Sequence, residues 1–220
     1  MSVRKGEPWG GPAAGPPDAT VAGGDADLAA VVAARPGARI EFRPDAGSDL
    51  ARALGVPGGR RPADAHELPL DALSLGDALG LSVNIAVLGT PPDRLRWWSR
   101  EHDLEVVVDG RERFRGKATT VVVANGQYLR GADVVPRGHP GDGRVEVQVY
   151  RLRRGERRAM RRRLAQGAHV PHPRIREIPG RRIEVQTTGR GLPLEVDGVP
   201  GGLCRELAIE VVPNVCNVLV

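Results

Sequence analysis

Residues 19–34 read ATVAGGDADLAAVVAA, and this stretch decides the fold class of the first part of the chain. Residues 19–22 form a short apolar segment, Gly23-Gly24-Asp25 form a turn, and apolar residues at helical spacing follow. The order of strand, glycine turn and helix is typical of an α/β unit. Glycines allow close backbone approach and the first N–H groups of a helix attract anions, so this turn is a candidate phosphate site. A plain Gly-Gly turn followed by an aspartate N-cap has the same sequence pattern.

The segments that follow extend the α/β pattern and then replace it. Residues 39–42 predict a second strand, and residues 49–55 have helical spacing with Leu50 and Leu54 on one face. After residue 80 the chain consists of short Val-rich segments, many of them alternating, which predicts an antiparallel sheet or sandwich interrupted by one helix at residues 153–166. Three Asp-Gly pairs, a strong tight-turn signal, lie next to these segments: Asp109-Gly110, Asp142-Gly143 and Asp197-Gly198.

These patterns predict an α/β plus β fold. Residues 1–18, rich in glycine and proline, are expected to be a disordered leader. Residues 19–80 are expected to form a truncated α/β nucleotide-binding lobe, and residues 81–220 an antiparallel β-sandwich.

Composition excludes several protein classes. The chain has 220 residues, and its longest apolar run is seven residues, far below the roughly 20 that a membrane-spanning helix needs. Its two cysteines cannot form a disulfide framework, which favours a reducing cytoplasm.

Positive charge is concentrated in one segment. The formal net charge is +5, but residues 151–163 hold eight arginines and one glutamate, so the rest of the chain carries −2. Arg154, Arg158 and Arg162 would share one helix face. This stripe is consistent with peripheral docking on an anionic membrane surface, with binding of another anionic polymer, or with a solvated face in an arginine-rich chain. Nucleic acid is not expected as the partner, because only seven residues are aromatic.

Several short motifs occur in an order that resembles the bacterial diacylglycerol kinase catalytic family, whose relatives include sphingosine and ceramide kinases. The resemblance covers about residues 20–220 and includes the segments GGDAD (23–27), FRPDAGSDLARALGV (42–56), SVNIA (82–86), VANG (123–126), residues 136–147, GAH (167–169) and LEVDG (194–198).

The resemblance implies an ATP-dependent lipid kinase with Mg²⁺ as cofactor and a lipid hydroxyl as substrate. By position, ATP phosphates would lie on Gly23, Gly24, Asp25, Gly47 and Ser48. Asp49 would face magnesium, and Asp142 would belong to a structural magnesium site. Asp197 would be the base that takes the proton from the lipid hydroxyl. On that basis Asp197→Asn should remove activity and leave the fold intact.

Departures from the family pattern support an alternative, a catalytically degenerate member that acts as a lipid-binding or interaction module. Ala26 and Asp27 stand where the family has Gly and Thr, and Val199 replaces a Glu beside Asp197. A carboxylate about 4 Å from a phosphate costs roughly 4 kcal/mol at an effective dielectric constant near 20. The sequence therefore predicts weak ATP binding. The family also carries further βα units ahead of this turn, so a second copy or another chain is expected to complete the lobe.

Overall fold

The computed structural model describes residues 8–56 and 66–220, and within them strands outnumber helices. The helices are α1 (Asp25–Ala34), α2 (Asp49–Ala53) and α3 (Arg157–Leu164), with 3₁₀ turns at Pro92–Arg94 and Arg154–Glu156. The strands of the first part are β1 (Gly11–Pro12), β2 (Ala19–Gly23), β3 (Arg39–Pro44), β4 (His66–Ser74), β5 (Leu81–Ser82) and β6 (Ile85–Gly89). The remaining strands are β7 (His102–Val108), β8 (Arg111–Ala118), β9 (Thr120–Ala124), β10 (Tyr128–Leu129), β11 (Ala132–Asp133), β12 (Val145–Tyr150), β13 (Ile175–Gly180), β14 (Arg182–Thr187), β15 (Leu192–Val196), β16 (Val199–Cys204) and β17 (Glu206–Leu219).

The α/β unit predicted from residues 19–34 is present. β2 and β3 are parallel neighbours joined by α1, and β3 pairs in parallel with the end of β17. Leu28 and Val32 lie on one face of α1 and pack against Ile40 in the core of this lobe. On the other side of β2 no strand pairs within the described residues. Completion of this edge by a second copy or another chain stays a prediction.

The last strand belongs to two cores. The first half of β17 pairs with β14 and contributes Leu207 and Ile209 to the sandwich core. Its second half pairs with β4 and β3 and contributes Val218 to the core of the α/β lobe. An irregularity between the two halves is held by the fully buried Asp71, whose carboxylate accepts a hydrogen bond from the Asn214 N–H (2.8 Å). Residues at the C-terminus therefore complete the first lobe, although the sequence places them with the sandwich.

The predicted β-sandwich is confirmed. A six-stranded antiparallel sheet, in the order β13-β12-β9-β6-β15-β16, packs against the nine-stranded sheet that contains β17, and Val, Leu and Ile side chains from both sheets share one core. Two of the Asp-Gly pairs form tight hairpins: both residues of Asp109-Gly110 and Asp197-Gly198 have positive φ, as a type I′ turn requires. The third pair, Asp142-Gly143, lies in the loop before β12 and joins no hairpin.

The arginine-rich helix covers the outer face of the six-stranded sheet. Met160 and Leu164 pack there against Tyr150. The α-helix is shorter than the predicted range 153–166, because its first turn is 3₁₀ and residues 165 and 166 form a turn, while Gly167 at positive φ ends the helical segment as predicted. Not every arginine of the segment faces solvent: Arg157 is fully buried.

The leader differs from its expected disorder over the part that the structure describes, residues 8–18. The Trp9 indole N–H donates a hydrogen bond to the carbonyl oxygen of Pro69 (3.1 Å), and its ring contacts His139 edge-on. β1 pairs with β4. Contacts of the half-buried Trp9 and the pairing of β1 with β4 therefore hold a glycine- and proline-rich segment that has no periodicity. Residues 1–7 lie outside the described residues.

Nine strands of the described residues were not predicted: the five longer ones are β4, β6, β8, β13 and β16, and the four of two residues each are β1, β5, β10 and β11. Among the described residues, no helix has the length and apolar character that crossing a membrane requires.

Candidate functional site

Asp25, at the start of α1, is the centre of the candidate site. Its carboxylate accepts hydrogen bonds from the Ser48 hydroxyl (2.6 Å), the Leu50 N–H (3.0 Å) and the Asn84 side-chain amide (2.9 Å). These donors come from the N-cap and first turn of α2 and from the segment between β5 and β6. The motif residues Asp25 and Ser48, separated by 22 residues in the chain, therefore meet at one buried carboxylate, and their predicted role at ATP phosphates stays a prediction.

Burial changes the acidity of this group. It raises the pKa of Asp25 to about 6, since it disfavours the charged form; the Ser48 hydrogen bond lowers the pKa, and the nearby carboxylate of Asp197 raises it. A carboxyl group with such a pKa changes charge just below neutral pH.

We expect this group to make stability depend on pH. The unfolded pKa of an aspartate is about 3.9, so between about pH 4 and pH 6 the folded chain binds more protons than the unfolded chain. The Asp25 contribution is therefore fully present below pH 4 and is lost as pH rises to about 6, which amounts to about 3 kcal/mol. Asp25→Asn should remove this part of the pH dependence. Urea unfolding of both proteins across this range measures the difference, and parallel curves would contradict it.

Asp49 ties α2 to the sandwich, and its expected role toward magnesium stays a prediction. Its two carboxylate oxygens accept hydrogen bonds from the backbone N–H groups of Arg130 and of Gly131 (2.7 Å for the latter) in the turn between β10 and β11. The Arg130 side chain pairs with Asp93 and Glu195, and the hydrogen bond to Asp93 is the main cause that raises its pKa. This turn is therefore fixed to both lobes.

Asp197, the predicted base, is also engaged by backbone groups. Its Oδ1 accepts from the Ser82 hydroxyl (2.7 Å) and from the N–H groups of Asn84 (3.1 Å) and Ile85 (2.9 Å), and its Oδ2 accepts from the Val83 N–H (2.9 Å). Burial raises the pKa of this carboxyl group. Among the described residues Oδ2 accepts from one donor and Oδ1 from three, so the remaining acceptor capacity of this carboxylate lies on Oδ2.

Asn84 connects the two aspartates, and sequence reasoning gave it no role. Its side-chain amide donates to Asp25 and its backbone N–H donates to Asp197. Its Oδ1 is buried without a hydrogen-bond partner among the described residues, and a Cβ placed on Gly126 would lie 2.1 Å from it. A polar residue inside the otherwise apolar segment around Ile85 was the sequence signal that could have identified it.

The glycine turn is occupied by the chain's own carboxylates. The Gly24 N–H donates to Oδ2 of Asp27 (2.8 Å), and a Cβ on Gly23 would lie only 2.2 Å from the same oxygen. On the opposite loop, the Gly47 N–H donates to Oδ1 of Asp45 (2.8 Å). The N–H groups at Gly24 and Gly47, which a phosphate at these two turns would use, are therefore already engaged. These residues do not fit an ATP phosphate in this arrangement, and no group of three acidic, histidine or cysteine side chains in the described residues could hold a metal ion.

Asp142 lies in a different cluster. Its Oδ1 accepts from the Arg144 N–H (3.0 Å), and burial raises its pKa. The neighbouring Gly143 N–H donates to the buried carboxylate of Asp71 (2.6 Å). Within the described part of the chain, no hydrogen bond joins Asp142 to the Asp25 group, and its role at a structural magnesium site stays a prediction.

Known structures share this architecture. A diacylglycerol kinase from Bacillus anthracis str. Sterne matches with a TM-score of 0.70 at 18% identity, over 91% of this chain and 75% of that one. A provisionally assigned diacylglycerol kinase from the same organism matches with a TM-score of 0.73 at 17% identity, over 91% and 77%. Yeast NADH kinase in complex with NADH matches with a TM-score of 0.50 at 12% identity, over 92% and 61%. At these identities the likeness shows the fold alone.

Curated proteins provide no match to this sequence. The family model described as the YegS C-terminal NAD kinase beta sandwich-like domain matches residues 93–220. That range covers more than half of the chain and contains most strands of the sandwich together with the Asp197 turn. The chain therefore belongs to the family of the YegS C-terminal NAD kinase beta sandwich-like domain.

Proposed function

We propose that this protein is a diacylglycerol-kinase-like lipid-binding module that has lost tight binding of ATP. The observation that carries the proposal is the Asp27 carboxylate, which accepts the Gly24 N–H at the start of α1. The α/β lobe and the sandwich are retained, and solved structures with this fold include a diacylglycerol kinase. The lipid assignment follows the family resemblance.

Electrostatics at the turn supports weak nucleotide binding. Asp27 and Asp45 both lie at the glycine turn, where a Cβ on Gly24 would be 3.7 Å from the Asp45 carboxylate. A phosphate group at this position would lie within about 4 Å of a negative charge, which costs roughly 4 kcal/mol at an effective dielectric constant near 20. It would also have to displace Asp27 from the Gly24 N–H.

The second candidate function is ATP-dependent transfer of a phosphoryl group to a lipid hydroxyl. The connection of Asp25 to Asp197 through Asn84 favours it, because residues from three distant motifs meet at one place. The open acceptor position on Oδ2 of Asp197 could then take the proton of the hydroxyl. This candidate requires the Asp27 carboxylate to leave the turn.

We expect the double substitution Ala26→Gly with Asp27→Thr to strengthen ATP binding by roughly tenfold or more, because it removes a negative charge and frees the Gly24 N–H. Calorimetry of ATP binding, with and without Mg²⁺, measures the effect on the parent protein and the variant. Asp77→Thr is the control, since it removes the same charge from an exposed loop.

Two outcomes would decide between the candidates. Weak ATP binding by the parent, together with binding of diacylglycerol-containing vesicles, supports the lipid-binding module. Binding of Mg·ATP by the parent in the low micromolar range, with transfer of labelled phosphate to diacylglycerol, would contradict it and establish the kinase.

A further inference from the structure

We infer that residues 94–101 and 151–163 form one docking surface for an anionic lipid membrane. We call it the Trp–Arg surface. The inference rests on the proposed lipid function and adds the face of the molecule that meets the bilayer. It follows from two exposed tryptophans, the buried arginine that holds their loop against the arginine helix, and the local charge.

Trp97 and Trp98 are exposed although tryptophan is the largest side chain. Their exposed fractions are 63% and 62%, and the rings meet edge to face with centroids 5.4 Å apart. Trp9, by contrast, is packed against the protein. Tryptophan has an apolar ring system and one polar N–H, and it is enriched at the interface between membrane and water. Two neighbouring exposed rings fit insertion at that depth.

Arg157 fastens this loop to the start of α3. Its guanidinium donates to the carbonyl oxygens of Arg96 (3.2 Å), Trp97 (3.1 Å) and Ser99 (2.7 Å), and it pairs with the Glu101 carboxylate (2.7 Å). The tryptophan loop and the arginine helix are therefore held in one fixed arrangement. They can meet a flat surface together.

Charge on this surface complements an anionic membrane. The two segments contain eleven arginines and two glutamates, a formal charge of +9, while the rest of the chain carries −4. Both glutamates are already paired, Glu101 with Arg157 and Glu156 with Arg174. The arginines with exposed side chains are Arg94, Arg96, Arg100, Arg151, Arg153, Arg154, Arg158, Arg162 and Arg163. Basic residues next to an anionic surface each strengthen binding, by about fivefold.

The ring geometry favours a membrane over a nucleic acid. Single-stranded nucleic acid binds to aromatic rings on which successive bases stack. Trp97 and Trp98 are perpendicular, with an interplanar angle of 89°, so the two rings do not form a common stacking platform.

Vesicle flotation tests the inference with the full chain, using phosphatidylcholine vesicles with and without phosphatidylglycerol. We expect binding only to the anionic vesicles, and loss of binding when salt rises from about 0.1 M to 1 M, because the Debye length falls from about 10 Å to about 3 Å. Arg158→Gln with Arg162→Gln should weaken binding by about 30-fold. Trp97→Ala with Trp98→Ala should weaken it by roughly tenfold or more.

Two matched controls remove the same features elsewhere. Arg190→Gln with Arg205→Gln removes two exposed arginines outside the surface, and Leu203→Ala removes another exposed apolar side chain, 76% exposed. Both controls should bind like the parent. Equal losses in the controls and the surface variants, or parent binding that survives 1 M salt, would overturn the inference.

The remaining arms separate this inference from the function on which it rests. Anionic vesicles with and without diacylglycerol distinguish docking from recognition of the lipid: binding that needs diacylglycerol and ignores the surface variants would overturn the docking surface and support the proposed function. Docking that depends on the variants and is indifferent to diacylglycerol would support the surface and count against lipid recognition. Binding of a single-stranded oligonucleotide, with no vesicle binding, would overturn the membrane assignment.

Discussion

Replacing Arg157 with methionine is expected to lower the free energy of unfolding by about 3–5 kcal/mol, because several carbonyl oxygens lose the donor that the buried guanidinium provides and each buried acceptor without a partner costs about 1–3 kcal/mol unless water reaches it. The side chain is 1% exposed and its guanidinium binds the carbonyl oxygens of Leu152, Arg96, Trp97 and Ser99 as well as the Glu101 carboxylate. Methionine fills similar volume but donates no hydrogen bond. Urea unfolding measures the change.

The next residue is the matched control. Arg158 is exposed and lies in the same helical turn, so Arg158→Met should change the free energy of unfolding by no more than about 0.5 kcal/mol. Similar stabilities of the two variants would show that Arg157 does not hold the loop. In that case the fixed arrangement of Trp97 and Trp98 would also lose its basis.

Replacing Asp197 with alanine is expected to destabilise the protein by a similar amount, about 3–5 kcal/mol. Four donors between Ser82 and Ile85 lose their acceptor, and each buried donor without a partner costs about 1–3 kcal/mol unless water reaches it. This expectation differs from the one drawn from sequence, in which Asp197→Asn leaves the fold intact. A fall in activity in such a variant would therefore not identify the base.

Asp109 provides the comparison for Asp197. It occupies the same position of an Asp-Gly hairpin, also has positive φ, and accepts hydrogen bonds from the N–H groups of Arg181 (3.0 Å) and Arg182 (2.9 Å) in an exposed setting. Asp109→Ala places alanine at the same positive φ as Asp197→Ala does, so both variants have the same conformational cost. Asp109→Ala should lower the free energy of unfolding by about 2 kcal/mol less than Asp197→Ala, since water can replace the lost acceptor at the exposed site. Melting curves of equal midpoint for the two variants would contradict the structural role of Asp197.

The local pattern of the chain was sufficient for much of the fold. The strand, turn and helix of residues 19–34 follow from spacing within one short segment, and so do the hairpins at Asp109 and Asp197. Strand β6, like the predicted β9, is buried on both faces, and such an apolar run without alternation does not by itself distinguish a strand from a buried helix segment. The packed segment around Trp9 was missed because its contacts lie about 60 residues away in the chain.

The sequence predicted which residues belong to the candidate site, but not which of them contact each other. Sequence motifs brought Asp25, Ser48 and Asp197 to attention, and the structure places Asp25 and Asp197 on either side of Asn84. The hydrogen-bond partners of these carboxylates come from distant segments, so no local pattern could show that Asp49 binds the turn at Gly131. Composition likewise identified the arginine segment, residues 151–163, but could not show that the loop with Trp97 and Trp98 lies next to it.

The sequence by itself determined the first α/β unit, the Val-rich strands of the sandwich that alternate, and the Asp-Gly hairpins, because propensity, turn chemistry and hydrophobic period act over a few residues. It also determined the charge imbalance and the presence of Asp27, from which we predict weak ATP binding. Only the tertiary structure decided which groups are already satisfied: the Gly24 N–H by Asp27, and the Asp197 carboxylate by the segment from Ser82. The physical reason is that hydrogen-bond partners and burial depend on contacts between residues far apart in the chain, and Arg157, buried among exposed arginines of the same segment, is the clearest case.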